Sequence, residues 1–294
     1  MKYKNTILHK QKILKPQYKI KVNYSSKYIL TEIKTLTKRL YTQTIRRPIS
    51  IITNIIQPLI WLILFGALFK NAPIDLIQEY NIKYSQFLSY GIIAFTAFSS
   101  SLNAGLPIIF DREFGFLNRI LISPLIDKNS LFSSLITYTF IINIIQIIII
   151  ITFSINVLNN LIKFDIIFFI INITTILIIH IATLSIGLSF IVPGHIEFLG
   201  FTLIINLPAL FTSTALAPLN FMPYWLQAVA LMNPLTYSIE IIRYISLNSK
   251  YKWENNIINT LLLKFSLQNS TLVLIITTLL VYIIINKIIK YKYN

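Results

Sequence analysis

The sequence contains no cysteine, so disulfides, thiol nucleophiles and thiolate metal sites are excluded. Acid is nearly as scarce, with ten Asp and Glu in 294 residues against 26 Lys and Arg. The three histidines, His9, His180 and His195, stand too far apart to supply metal-ligand spacing. None of the seven glycines opens a GxxxxGKS or GxxxxGKT loop, so no backbone cradle for phosphates is encoded. GxGxxG, HExxH and GxSxG are absent as well. No enzyme active site is expected, and no metal or directly bound cofactor.

Charged residues make up 12% of the chain, about half of the roughly 25% usual in a soluble domain. Hydrophobic residues make up 55%, isoleucine alone supplies about a fifth, and the mean hydropathy is +0.69. About 300 residues form one large core at most, which cannot hide that much apolar surface from water. The apolar residues also come in long blocks rather than on alternating or helical faces. An integral membrane protein follows. Thirteen of the basic residues precede position 49, beside a single acid, Glu32. A basic flank ahead of a hydrophobic run is how a membrane protein keeps that side in the cytoplasm, so lipid headgroups rather than nucleic acid are the expected partner. The basic start has no apolar core of about 7–15 residues behind it, so no cleavable signal peptide is expected. Heavy use of Ile, Asn and Lys matches AT-rich codons, as in organelle or endosymbiont genomes.

A helix crosses the roughly 30 Å hydrocarbon layer in about 20 residues. Six runs meet that length, at about 49–69, 88–109, 131–157, 166–192, 198–217 and 270–286. A further apolar stretch, 221–248, is cut by Asn233-Pro234 into two short pieces, the second carrying Glu240 and Arg243, and predicts re-entrant or interfacial helices. Six spans place both termini on one side. With that side inside, inner segments hold 19 Lys and Arg and outer segments seven, which satisfies the positive-inside rule. Before the first span, Ile29, Ile33, Leu36 and Leu40 form a stripe with Lys34, Lys38 and Arg39 away from it, predicting an amphipathic helix on the membrane surface. Residues 1–27 are basic and aperiodic and are expected to be disordered, leaving 28–294 as the transmembrane domain. The expected fold is therefore an all-α membrane protein of six transmembrane helices with a surface helix at its N-terminal side.

Within the spans, His180 is an ionisable candidate, read as a neutral imidazole bonded to a neighbouring helix. Small residues from Ala94 to Gly105 predict close backbone contact, inside the subunit or across a dimer. The link between spans two and three is the most informative segment. It runs Asp111-Arg112-Glu113-Phe114-Gly115-Phe116-Leu117-Asn118-Arg119-Ile120-Leu121-Ile122-Ser123-Pro124. A plain tether has no need of its aromatic and aliphatic groups. Two arrangements fit: a short helix docking in another protein's groove, or a helix flat in the headgroups.

Asp-Arg-Glu, then Gly, then Leu, then Ser-Pro between spans two and three resembles the link of ABC-2 type transport permeases, the membrane subunits of ATP-binding-cassette exporters. Asn233-Pro234-Leu235-Thr236-Tyr237 followed by Glu240 and Arg243 resembles that family's segment between spans five and six. The likeness covers about residues 25–290, and an isoleucine-rich chain of this layout resembles the ABC-2 permease reading frames of red-algal plastid genomes. The resemblance implies a connecting helix over 28–47 and a coupling helix over 111–123 that enters a cleft on a separate ABC-type ATPase, which holds Mg-ATP. The contact edge would be Asp111, Arg112, Glu113 and Gly115, with Phe114, Phe116 and Leu117 as apolar anchors. Asn118 departs from the Glu common in relatives. It also implies outer re-entrant helices carrying Asn233, Pro234, Tyr237, Glu240 and Arg243, a Glu240–Arg243 pair, a second permease copy as homodimer partner, and a plastid membrane or else a bacterial plasma membrane, with both termini on the stromal or cytoplasmic side.

Energy supply narrows the choice. Ion-coupled carriers place carboxylates or histidine chains at mid-membrane, whereas Asp165 and Glu197 sit only at span ends. A borrowed ATPase is the better driver. The other readings are a non-transporting membrane assembly or biogenesis factor and an ion-coupled carrier.

Overall fold

The computed structural model describes residues 26–69, 84–122, 129–158, 164–248, 251–260 and 263–293. The expectation for residues 1–27 thus lies outside the described residues, apart from the two that begin the first helix, and Ser123-Pro124 lies outside them too. Helices α1 (Ser26–Ile45) and α2 (Pro48–Leu68) come first. Helix α3 (Tyr84–Leu102) runs through one 3-10 turn (Asn103–Gly105) into α4 (Leu106–Glu113), and α5 (Phe116–Ile122) follows after a two-residue break. Next are α6 (Asn129–Leu158), α7 (Phe164–Ile191), α8 (His195–Phe211), α9 (Tyr224–Met232) and α10 (Pro234–Leu247). Strands β1 (Asn256–Asn259) and β2 (Lys264–Ser266) precede the last helix, α11 (Leu267–Tyr293).

Five helical stretches among the described residues are long and apolar enough to cross a bilayer: α2, the α3–α4 rod, α6, α7 and α11. Helix α8, expected as a span over 198–217, has only 17 residues and stops at Phe211. There the Ser213 hydroxyl bonds the Leu210 carbonyl and accepts from the Ala215 amide, so local side-chain bonds take over from the helical ladder. The second span is longer than the expected 88–109, because the rod continues through the charged residues to Glu113. Pro107, lacking an N–H, sits in the first turn of α4 just after the 3-10 step.

The rod is the hub. In its most apolar window 72% of residues are buried inside the chain, against 11% for α2, so α3 is wrapped by protein while α2 keeps an open apolar flank. The small residues explain the closeness. A Cβ on Gly91 would lie 2.5 Å from the Ala215 carbonyl oxygen, and one on Gly105 would lie 2.4 Å from that of Ser185. Ser185 locks α7 to the rod by donating to the Leu102 carbonyl (2.6 Å) and accepting from the Gly105 amide (2.9 Å). His180 on α7 meets Thr278 of α11 through Nδ1 at 3.3 Å.

Two features go beyond the sequence expectations. The fold is mostly helical, as expected, with one small addition: β1 and β2 form an antiparallel hairpin with Asn256 opposite Ser266 and Asn259 opposite Lys264, anchored by the fully buried Ile258. Helix α1, expected to turn its basic face to headgroups, keeps Lys34 and Lys38 exposed but turns Arg39 into the protein. Leu36 and Leu40 pack with Leu131 and Leu135 of α6, and Arg39 turns onto the end of α4.

Candidate functional site

The α4–α5 link is built on a helix stop. Phe114 closes α4, and Gly115 follows with φ of +68°, the left-handed conformation that ends helices and that residues with a Cβ disfavour. Nothing lies within 4 Å of where its Cβ would stand, so the glycine serves the backbone turn and not a close approach within the chain. After the turn, α5 presents two faces. Leu117 and Ile120 point inward to Leu40 and Leu131, whereas Phe116 and Ile122 (85% exposed) point outward, as does Phe114 (74% exposed) at the end of α4. Leu117, expected as an anchor for a partner, is 3% exposed and fastens the link to its own chain.

Three of the four charged residues of the link, Asp111, Arg112 and Glu113, are also engaged within the chain, while Arg119 on α5 is exposed. Asp111 is buried and pairs with Arg39 of α1 at 2.5 Å, and the Arg39 guanidinium also lies over the Phe116 ring at 4.9 Å. Arg112 donates to the carbonyls of Ser189 (3.1 Å), Val192 (2.5 Å) and Pro193 (2.8 Å). Glu113 accepts from the His195 backbone amide and lies 2.7 Å from its Nδ1. Phe110 lies tilted against the His195 ring, 5.5 Å between centroids, and carries Arg47 over its face at 5.2 Å. Beside the exposed Asn118 and Arg119, what the link offers to its surroundings is aromatic and aliphatic. Sequence reasoning missed Arg39, His195 and the carbonyls at the end of α7. They lie 72 to 82 residues from their partners, and a single sequence carries no signal linking them.

The second cluster lies on α10. Asn233 caps it by accepting from the Leu235 amide (3.0 Å), and donates to the Ala209 carbonyl (3.0 Å) and the Thr212 hydroxyl (3.3 Å) at the end of α8. Pro234 then starts the helix, where its missing N–H is harmless. The Tyr237 hydroxyl donates to the Leu231 carbonyl at 2.8 Å, tying α10 to α9. Arg243 is 0% exposed, bonds Glu240 at 2.6 Å and the Thr214 carbonyl at 2.8 Å, and covers the Phe87 ring at 3.7 Å. Of the five residues expected in this segment, Asn233 and Tyr237 tie α10 to α8 and α9, Pro234 starts the helix, and Glu240 and Arg243 pair within it.

Between the two clusters lies a cleft of about 520 Å³. Its walls are α7 (His180, Leu184, Leu188) and α8 (Thr202, Ile205), its floor is α3 (Phe98, Leu102), and Met232 and Asn233 close one end. No charged residue lines it.

Comparison with known proteins bears on what this arrangement does. The ABC-2 type transporter family profile matches residues 31–247. The chain is similar to a Porphyra purpurea protein named "Putative transport permease ycf38", with 45% identity over 267 residues, 90% of this chain and 91% of the relative. Proteins of the same name from Pyropia yezoensis and Cyanophora paradoxa are 42% and 44% identical, over 98% and 90% of this chain and 99% and 91% of the relatives.

Proposed function

The chain belongs to the ABC-2 type transporter family, and from that premise we propose that it is the membrane-spanning subunit of an ATP-driven exporter. It is a transport permease and not an enzyme, with ATP hydrolysis belonging to a separate subunit. In this reading an ABC-type ATPase holding Mg-ATP docks on the 111–123 link, and its closure moves the link and switches the spans between inward- and outward-facing states. The observation that carries the reading is the outer edge of the link. Phe114, Phe116 and Ile122 stand exposed on a two-helix element whose Asp111, Arg112 and Glu113 are already engaged within the chain. Apolar groups in that setting suit a partner's groove.

The remaining assignments follow from the same reading. Helix α8, joined to α9 and α10 at its far end, makes the sixth membrane element, and α9–α10 form a re-entrant cap on the outer side. Residues 28–294 make up the transmembrane domain behind the basic segment 1–27. Both termini then share the side of the link, which puts the basic excess inside. A second copy packs on α2, whose open flank exposes the amide of Gln57 beside Trp61. Polar side chains facing bare lipid are costly, and a helix partner relieves that. The membrane is a plastid membrane, with the termini in the stroma.

Affinity purification of the full chain from its native membrane tests the partner. An ABC-type ATPase is expected in the complex, whereas a stable partner without a P-loop would point to an assembly factor. The absence of native cysteine makes the topology directly testable. A cysteine placed at Lys252 should react with an impermeant thiol reagent from the outer face, and exclusive labelling from the inner face would sink the six-element layout.

A further inference from the structure

Arg112 and Glu113 are adjacent in the chain, yet their side chains end on opposite sides of one turn, that between α7 and α8. The last carbonyls of a helix lack intrahelical donors and carry the negative end of its dipole; the first amides lack acceptors and carry the positive end. Arg112 gives its guanidinium to Ser189, Val192 and Pro193 at the end of α7. Glu113 gives its carboxylate to His195, the first residue of α8. A cation thus caps one helix and an anion the next, and both come from the last turn of α4. Helix α8 has no cap of its own: Gly194 stands at the N-cap without a side chain. A Cβ there would fall 3.4 Å from Glu113 Oε1 and 2.5 Å from Glu197 Oε2, so the glycine leaves room for the carboxylates.

We propose that Arg112–Glu113 is a positioning clamp that carries movement of the α4–α5 link into the α7–α8 turn, and so sets the width of the cleft between those helices. The proposal rests on the reading in which a partner drives the link. Helices α7 and α8 are joined by the short 192–194 segment and line opposite walls of the cleft. A rotation at that apex therefore changes their separation along their length. The link is continuous with the residues that grip the apex on both sides, with Gly115 the sole left-handed glycine between them and α5. The Arg112 fork is engaged by three acceptors and Glu113 by two donors, which makes them levers inside the chain; docking falls to the aromatic edge.

The test uses spin labels on cysteines replacing Leu184 of α7 and Ile204 of α8, in the full chain in lipid vesicles, with the distance between them measured alone and with the co-purified ATPase. Without substitution one narrow distance is expected. In Arg112→Gln and Glu113→Gln the distribution should broaden even in the isolated chain, while the ATPase still co-purifies. Transport per ATP hydrolysed should fall by about tenfold, within the range usual for coupling between sites. Arg112→Lys, which keeps the charge but loses the fork, should rescue only in part. An unchanged distribution in both neutral variants, or loss of ATPase binding with the distance intact, would overturn the clamp. If the unsubstituted chain binds no ATPase, the driving partner is wrong while the distance readout still judges the clamp. Should a neutral variant fail to insert, His195→Ala carries the same test, because it keeps the backbone amide bond to Glu113 and removes the ring's contacts with Glu113 and Phe110: some broadening is expected, and none would count against the clamp.

Discussion

Near one end of the α3–α4 rod, Arg243 and Glu240 sit a turn apart and bond each other; near the other end, Arg112 and Glu113 sit side by side and bond two different helices. Both are one cation and one anion on short helices. The first pair is sealed, with Arg243 at 0% exposure under the Phe87 ring, and its geometry has one solution. The second is open to solvent on one side and grips backbone groups of a turn, so in the proposed clamp its partners move together with it. Burial makes a lock, and partial exposure at helix ends makes a joint.

The largest expected effect comes from breaking the sealed pair. Arg243→Ala leaves the Glu240 carboxylate buried without its guanidinium, and such losses cost about 3–5 kcal/mol. The chain should lose most of its thermal stability in detergent and much of its level in the membrane. The double variant Glu240→Gln with Arg243→Met should recover most of that loss, since an uncharged pair of similar volume leaves no stranded charge. A single variant as stable as the native chain would show that the pair is not a lock.

The two regions also differ in how far the sequence discloses them. Glu240 and Arg243 are three residues apart, and on a helix that spacing brings side chains together, so the pair is legible from local periodicity alone. The break at Asn233-Pro234 and the long spans are legible for the same reason: proline chemistry and apolar run length act locally. Glu113 and His195 are 82 residues apart, and Arg39 and Asp111 are 72 apart. No periodic pattern connects them, and charged residues at the end of an apolar run read as the start of a solvent link. The rod runs on to Glu113 because distant partners satisfy those charges. The burial of Leu117 and the hairpin around Ile258 were hidden likewise, since each depends on what packs against it.

An intermediate effect separates the joint from the surface it would serve. Phe114→Ser removes an exposed ring, and loss of its contacts in the free chain is expected to be minor. Docking anchors contribute about 2 kcal/mol or more, so ATPase association should weaken by more than about tenfold with the α7–α8 distance unchanged in the isolated chain. Titration of the ATPase into vesicles holding the full chain reads this directly. Equal affinity for both forms would move the docking edge elsewhere on the link.

The smallest effect tests the turn joining these two parts. Gly115 holds φ at +68° with open space around its missing Cβ, so a substitution there meets backbone strain and no clash. Gly115→Ala should lower stability by about 1–2 kcal/mol, the usual penalty for a Cβ in the left-handed region. Gly115→Asn should lower it less, because asparagine adopts that conformation more readily. Two different roles for the glycine predict different orders. If it were there for a partner's close approach, Asn, being larger, would do more harm than Ala to ATPase association. If it is there for the backbone, Asn should do less harm than Ala in both stability and association. Thermal unfolding and ATPase titration of the two variants, compared side by side, decide between them, and the empty space around the Cβ position favours the backbone order.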